Sequence, residues 1–510
     1  MPLIVFPHLI VLLAVFHWTK PEKCIPRHYG SDSTVCVCND TYCDSIPPVK
    51  KVEAPKYLLF TSSRNGLRLN KTEGTFVSNR MFTINRMIIT KIERQTIIGF
   101  GGAFTDSAGF NIKSLGKNAS DNIMKSYFSE NGIGYTIGRV PIGMTDFSSK
   151  EYSYAETPDV NLTNFQLAPD DFEYKIPFIK QAKELTGDNF KLFATAWTSP
   201  KWMKAIEKFT TIFGTLKSEM YQSWALYHLK FLQEYKKNNV SFWGITTGNE
   251  PSVGFTLFKI PSVAMTPSQM GKWISQYFGP TIRNSEFADI KIITFDDVTA
   301  MLPLWIVLMF FFYPGAKNYV DGIGIHWYYD KAMPKLVSLD GTHALYPNLF
   351  ILGTEGTRGE KPFEKNVILG SWQRAEDYAS HIIENCNYWV TGWVDWNLAL
   401  DCDGGPTLSD GVDSPIIVNA TAGEFFKQPT YYAMGHFSKF VTPGSKVIEV
   451  SYLDVFKQVA AFQRPDGGIV VVIANTRPFD DNIRIVDRNK NRGEVSLHVA
   501  AHSIVTLLYW

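Results

Sequence analysis

The chain lacks a dominant charge. Fifty Lys and Arg face 49 Asp and Glu, for a net charge of +1. That balance carries no electrostatic footprint for nucleic acid. No HExxH pattern and no clustered His/Cys set is present, so no catalytic metal is legible. No Gly-x-Ser-x-Gly elbow and no P-loop occurs. The one Gly-rich candidate, GFGGAFTD (Gly99 to Asp106), lacks the third glycine of the dinucleotide fingerprint and reads as a loop after a first strand. There is no short internal repeat and no low-complexity tract. Long apolar runs are scarce too. LIVFPHLIVLLAVFHW (Leu3 to Trp18) falls short of the roughly 20 residues a membrane span needs and is broken by Pro7, His8 and His17. It reads as a cleaved signal peptide over residues 1–20, although no Lys or Arg precedes it and no small-residue cleavage site is obvious.

Cysteine is sparse, with six residues, but four of them cluster: Cys24, Cys36, Cys38 and Cys43. Such a cluster behind a signal peptide reads as two disulfides in an oxidising compartment. Zinc is the competing reading; "CVC" is poor zinc spacing and no histidine partners are close. Cys386 and Cys402 are expected to be free. Asn-x-Ser/Thr sequons stand at Asn39, Asn70, Asn118, Asn161, Asn239 and Asn419, candidates for glycosylation on a secretory route. The sequence pI near 7.6 makes the chain net positive in an acidic compartment, which draws it to anionic lipid surfaces.

With 510 residues, 45% hydrophobic and 14% aromatic, the chain can bury a large core and more than one domain. Its middle, residues 96–397, alternates short apolar runs with amphipathic helical patterns, YQSWALYHLKFLQEYKK being the clearest. The apolar runs are TIIGFGG, IGYTIGRVPI, FKLFATAW, SFWGITTGN, DIKIITFDD, DGIGIHWY, LFILGTE and YWVTGWVDWN. Eight β–α alternations predict a (β/α)8 TIM barrel, with a doubly wound sheet as the alternative. The flanks are turn-rich and alternating. They predict an accessory all-β domain built from both chain ends: residues 21–48 joined by about 398–428, and residues 49–95 with 440–510 as a sandwich-like unit.

In such a barrel, chemistry belongs at the C-terminal strand ends. The polar residues there are Asp106, Arg139, Asp146, Trp197, Asn249, Glu250, Asp296, Asp297, His326, Tyr328, Glu355, Trp396 and Asn397. Glu250 and Glu355 end the fourth and seventh strands, with nothing beside them in sequence to neutralise them. Two opposed carboxylates suit glycoside hydrolysis, one protonated to assist the leaving oxygen and one ionised. A like charge nearby would keep the acid protonated. Rim tryptophans suit the flat C–H faces of a sugar. The bland alternatives are a lone structural His326, an Asp296–Asp297 helix N-cap pair, an Asp106 that shapes its loop, and an Arg139 that serves as a structural ion-pair partner.

The ordered motifs VCVCNDTYCDS, GFGGAFTD, YFSENGIGYTIGRVPI, WTSPKWMK, TGNEPS, GIHWYYD, GSWQRAEDY, GWVDWNLAL and DSPIIV resemble the acid glucosylceramidases, in the clan of retaining (β/α)8 glycosidases. The resemblance covers nearly everything after the signal peptide. It implies that Glu250 is the general acid/base and Glu355 the nucleophile. It implies that Asn249 holds the sugar 2-hydroxyl, that Arg139 and Tyr328 orient Glu355, and that Asp146, Trp197 and Trp396 bind the glucosyl ring. It implies the pairs Cys24–Cys36 and Cys38–Cys43, and no metal or cofactor. It also implies glucosylceramide as substrate, at an acidic lysosomal membrane surface, with a saposin-type activator and anionic phospholipid as partners. Secretion is the alternative destination. Competing functions are a β-glycosidase for other β-glucosides or β-xylosides, and a non-catalytic glycolipid-binding protein. The loops GTEGTRGEKPFEK and DCDGGPTLSDGVDS depart from the family pattern. So does the apolar run Leu302 to Tyr313, expected as a core-facing helix, with a membrane-contacting loop as the alternative.

Overall fold

A computed structural model describes residues 22–77, 86–258, 260–361, 363–452 and 458–510. The signal-peptide reading of residues 1–20 lies outside them. Eight parallel strands close into a barrel in which each pairs with its sequence neighbours and the last returns to the first. They are β1 (Gly99–Ala103), β2 (Ile137–Pro141), β3 (Lys191–Thr195), β4 (Gly244–Thr246), β5 (Lys291–Val298), β6 (Gly322–His326), β7 (Phe350–Glu355) and β8 (Val390–Asn397). Closure excludes the doubly wound alternative. These strands read as continuous apolar runs because both faces are covered, by side chains inside and helices outside. β2 and β6 are buried at every residue.

Inside the barrel, Ile137, Phe193, Ile293, Leu352 and Val394 form a compact apolar cluster. This plug fills the interior, and the polar residues lie at the strand ends beyond it. Outside, the helix Tyr221–Lys237 buries Tyr221, Trp224, Tyr227, His228, Phe231 and Tyr235. That is the three-to-four-residue spacing its sequence shows. Two glycines let the seam strands approach. A Cβ on Gly101 would lie 1.8 Å from the Ile137 carbonyl oxygen, and one on Gly392 would lie 2.1 Å from that of Gly99.

The accessory β structure comes from both chain ends. One five-stranded sheet runs Pro26–His28, Thr34–Asn39, Glu424–Lys427, Ile416–Asn419 and Leu400–Asp401. Disulfides join Cys24 to Cys36 and Cys38 to Cys43 beside it, and Cys386 and Cys402 are free. A nine-stranded sheet interleaves Lys56–Ser63, Asn70–Thr75 and Arg86–Thr96 with six strands between Lys446 and Tyr509. It has its own core, including Met87, Ile89, Val471, Ile485 and Leu507. Of the sequon asparagines, Asn70, Asn118, Asn161 and Asn239 are exposed, while Asn39 and Asn419 are half-buried.

The run Leu302 to Tyr313 folds as the helix Leu304–Phe312. Trp305, Ile306, Met309 and Phe310 face inward, as a core helix requires, but Leu304, Phe311 and Phe312 face outward and exposed. Among the described residues, no helix is long and apolar enough to cross a membrane.

Gly392→Ala is expected to cost about 1–3 kcal/mol or more, because the added methyl meets backbone rather than a side chain that could move. A denaturant titration of the variant beside the parent protein checks this.

Candidate active site

Glu355 is the last residue of β7 and lies at the barrel mouth. Its carboxylate accepts a hydrogen bond from the Tyr328 hydroxyl at 2.9 Å and an ion-paired hydrogen bond from Arg139 Nη1. Glu250 follows β4 through Thr247, Gly248 and Asn249. Its backbone adopts φ +41, a left-handed conformation unusual for a residue with a Cβ. Hydrogen bonds fix that turn. Asn249 N–H donates to the Ala196 carbonyl and Glu250 N–H to that of Asp296, each at 2.9 Å. One carboxylate oxygen of Glu250, one of Glu355 and a ring nitrogen of His326 all lie within 4.8 Å of one another.

Asp296 organises the floor between them. It is fully buried and receives Arg139 Nη2 at 3.0 Å, the Thr354 hydroxyl at 2.6 Å and His326 Nε2 at 3.1 Å. His326 Nδ1 faces Glu250 at 2.7 Å and Glu355 at 3.8 Å. Arg139 Nη2 also donates to the Asn249 carboxamide oxygen at 2.8 Å. Trp197 and Trp396 stack on each other with centroids 4.9 Å apart. The Arg139 guanidinium sits 4.6 Å from the Trp197 ring and 5.5 Å from the Trp396 ring. Asp146, on the loop after β2, is buried with one carboxylate oxygen unpartnered. Its carbonyl receives Leu408 N–H at 2.7 Å and the Thr407 hydroxyl at 2.9 Å from the loop after β8.

Arg139, Asp146, Trp197, Asn249, Glu250, Tyr328, Glu355 and Trp396 therefore gather around one mouth, and His326, Asp296 and Asp297 join them. His326 is not an isolated structural histidine: it touches Glu250 and Asp296 and approaches Glu355. Asp296 and Asp297 cap no helix. They lie inside β5, where a register irregularity between Phe295 and Asp297 accompanies positive φ at Phe295 and Asp296. Asp106 begins the helix Asp106–Lys113 and pairs with Lys175 at 3.1 Å, away from this cluster of carboxylates.

The electrostatics are set by burial. Burial works against charge on His326, but Glu355, Asp296 and Glu250 overcome it and raise the imidazole to about 10. Burial likewise opposes charge on Asp296, yet Arg139 and His326 hold it well below the usual carboxylate range. Burial, with Glu355 nearby, raises Asp146 to about 8. Burial, with Glu250 nearby, raises Asp297 to about 7. Glu355 is pushed up by burial and by Glu250, against His326 and Arg139, which pull it down.

Glu250, His326 and Glu355 are spaced closely enough to face one cation. Both His326 nitrogens already meet carboxylates, and Arg139 already supplies positive charge to Glu355, so the set does not fit a metal. Cys38, Cys43 and Asp44 also cluster, but both sulfurs are consumed by their disulfide. What the mouth offers is two close carboxylates in unlike surroundings, one against a guanidinium and a tyrosine and one against an imidazole. Such a pair can divide nucleophilic and proton-transfer work.

Comparison with known proteins agrees with this fold. Residues 97–441 match the glycosyl hydrolase family 30 TIM-barrel domain and residues 444–507 the family 30 beta sandwich domain. A protein described as putative glucosylceramidase 4 of Caenorhabditis elegans is 39% identical, covering 98% of each chain. Lysosomal acid glucosylceramidase of Mus musculus is 40% identical, covering 91% of this chain and 92% of its own. The crystal structure of SrfJ from Salmonella typhimurium superposes with a TM-score of 0.82 at 24% identity, over 89% of this chain and 99% of that one, a likeness of fold.

The buried titrations predict acid stability. Asp146 and Asp297, ordinarily near 3.8, rise to about 8 and about 7 in the folded protein, and His326 rises from 6.5 to about 10. Each binds its proton more tightly folded than unfolded. Its stabilisation is complete below the ordinary value and lost as pH climbs through the folded one. Asp296 works the other way, losing its contribution as pH falls below the carboxylate range. The thermal midpoint is expected to drop by roughly several degrees between about pH 5 and pH 8, and Asp146→Asn should flatten that slope. Differential scanning fluorimetry across the range checks both.

Proposed function

The chain belongs to glycosyl hydrolase family 30, and from that premise we propose that it is a retaining β-glucosidase that hydrolyses glucosylceramide to glucose and ceramide. The observation that carries this reading is the approach of Glu250 and Glu355 carboxylate oxygens to within 4.8 Å. Retention uses carboxyl groups about 5–5.5 Å apart, whereas inversion separates them by about 6.5–9.5 Å to admit a water.

Glu355 attacks the anomeric carbon while Glu250 donates its proton to the ceramide oxygen. Glu250 then takes a proton from water, which attacks the glucosyl–Glu355 ester and releases glucose with its β configuration retained. Arg139 and Tyr328 favour the ionised nucleophile by donating to both of its oxygens. Asn249, its carboxamide oxygen taken by Arg139, directs its remaining polarity at the 2-hydroxyl. Asp146 offers its unpartnered oxygen to a ring hydroxyl, and the Trp197–Trp396 stack walls the glucosyl site.

The glucosylceramidase relatives support the substrate, and the lysosomal one among them supports a lysosomal destination. A saposin-type activator and an anionic phospholipid surface belong to the same reading as what the family resemblance implies. The sequence pI near 7.6, the two disulfides and the exposed sequons accord with a secreted protein that turns cationic in acid. The reading needs no metal or cofactor.

Treatment with a cyclophellitol-type β-glucoside inactivator, followed by peptide mapping, is expected to place the label on Glu355. Glu355→Gln should lose roughly 10³-fold or more in turnover of glucosylceramide vesicles. A label elsewhere, or near-normal turnover, refutes the assignment. Faster hydrolysis of soluble β-glucosides or β-xylosides than of the lipid would move the substrate to another β-glycoside.

A further inference from the structure

Glu250 occupies a backbone conformation that persists only where its surroundings over-determine it. Besides the Ala196 carbonyl that holds Asn249, two consecutive residues of β5 grip the turn on either side of Glu250. Before the turn, the Asp296 carbonyl accepts Glu250 N–H at 2.9 Å. After it, the fully buried Asp297 carboxylate grips Ser252 twice. Oδ2 accepts Ser252 N–H at 2.9 Å, and Oδ1 accepts the Ser252 hydroxyl at 3.0 Å. Oδ1 also accepts Val298 N–H at 2.7 Å, which fixes the carboxylate itself. The irregularity in β5 makes this possible, since the register with β6 passes from Phe295 to Asp297 and leaves Asp296 unpaired. Asp296 is thereby freed to meet Arg139 and His326, and Asp297 to meet the turn.

We propose that Asp297 is the positioning residue of the acid/base carboxylate, clamping the Glu250–Pro251–Ser252 turn so that Glu250 is aimed at the leaving-group oxygen. This rests on the two-glutamate reading above. Glu355 is held separately, by Arg139 and Tyr328, so loosening the clamp moves one carboxylate and spares the other. The charged and titratable groups around Glu250 are His326 from β6, Tyr328 just beyond it, Glu355 from β7, Asp146 from the β2 loop and Asp297 itself. The defect must therefore fall on steps that need a proton moved: protonation of a poor leaving group, and deprotonation of the water that opens the glucosyl ester. An external azide ion needs no such help. It attacks the anomeric carbon, displaces the Glu355 carboxylate and yields β-glucosyl azide.

The test compares Asp297→Asn and Ser252→Ala with the parent protein on an alkyl β-glucoside and a dinitrophenyl β-glucoside, with and without azide. For Asp297→Asn, the loss in kcat/KM should be about 10-fold or more greater on the alkyl glucoside, and azide should raise kcat on the dinitrophenyl substrate. Ser252→Ala, which keeps the backbone half of the clamp, should show the same split more weakly, and it carries the test if Asp297→Asn does not fold. Equal losses on both substrates, no loss, or no azide effect overturns the proposal. Glu250→Gln is the reference. If it shows the split and the clamp variants do not, only this inference fails. If it shows none, the two-glutamate reading fails and takes the inference with it.

Discussion

The barrel mouth depends on one buried cation. Arg139 has no exposed surface, and an unpaired guanidinium there would cost more than the fold could tolerate. Its neighbours answer that demand from three other strands: Glu355 ends β7, Asp296 lies in β5 and Asn249 follows β4. Two indole rings close over its plane. Each partner is thereby drawn to a fixed point around the guanidinium. A group needed electrically thus sets the geometry of the carboxylates. Removing a single partner would leave charge stranded in a dry site, at a cost of about 3–5 kcal/mol. The mouth is better regarded as one charge network than as a set of separate side chains.

His326 extends the network to the second carboxylate. It spans Asp296 and Glu250, so the two glutamates share a floor made of alternating charges. Charge alternation lets so many ionisable groups be buried together. It also divides them. Glu355 has a guanidinium and a phenol, both donors, whereas Glu250 has only an imidazole that is itself held by Asp296. On the proposed mechanism, Glu355, fixed by two donors, attacks, and Glu250, which meets the imidazole alone, exchanges a proton.

Much of this was legible in the chain itself. The barrel could be read because strands covered on both faces must be apolar throughout, and eight such runs alternate with helical patterns. Glu250 and Glu355 could be read because each ends an apolar run with no local charge to answer. His326 and the Asp296–Asp297 pair could not. A lone histidine in GIHWYYD has the same local appearance whether it is structural or bridges two acids. Two aspartates after an apolar run look like a helix start. What distinguishes them is an irregularity in β5 with positive φ at Phe295 and Asp296. No glycine marks it in the sequence. It exists because the buried charges reward the distortion, and those charges are distant in sequence.

The same logic separates the firm part of the site from the variable part. The residues proposed to hold the sugar sit on strand ends or one to five residues beyond them, and three of them, Trp197, Asn249 and Trp396, meet Arg139 and lie in the family motifs. The segments expected to depart from the family pattern lie further out, in the loops after β7 and β8 and in the helix Leu304–Phe312. The β8 loop is tied to the rim by its bonds to the Asp146 carbonyl. In the β7 loop, Arg358 packs over Trp327 at 4.1 Å and pairs with Asp377, while Phe363 is left fully exposed. These segments answer to surface constraints and not to the buried cation, so they can change without disturbing the carboxylates. Exposed Phe311, Phe312 and Phe363 put the apolar surface of these segments on the outside.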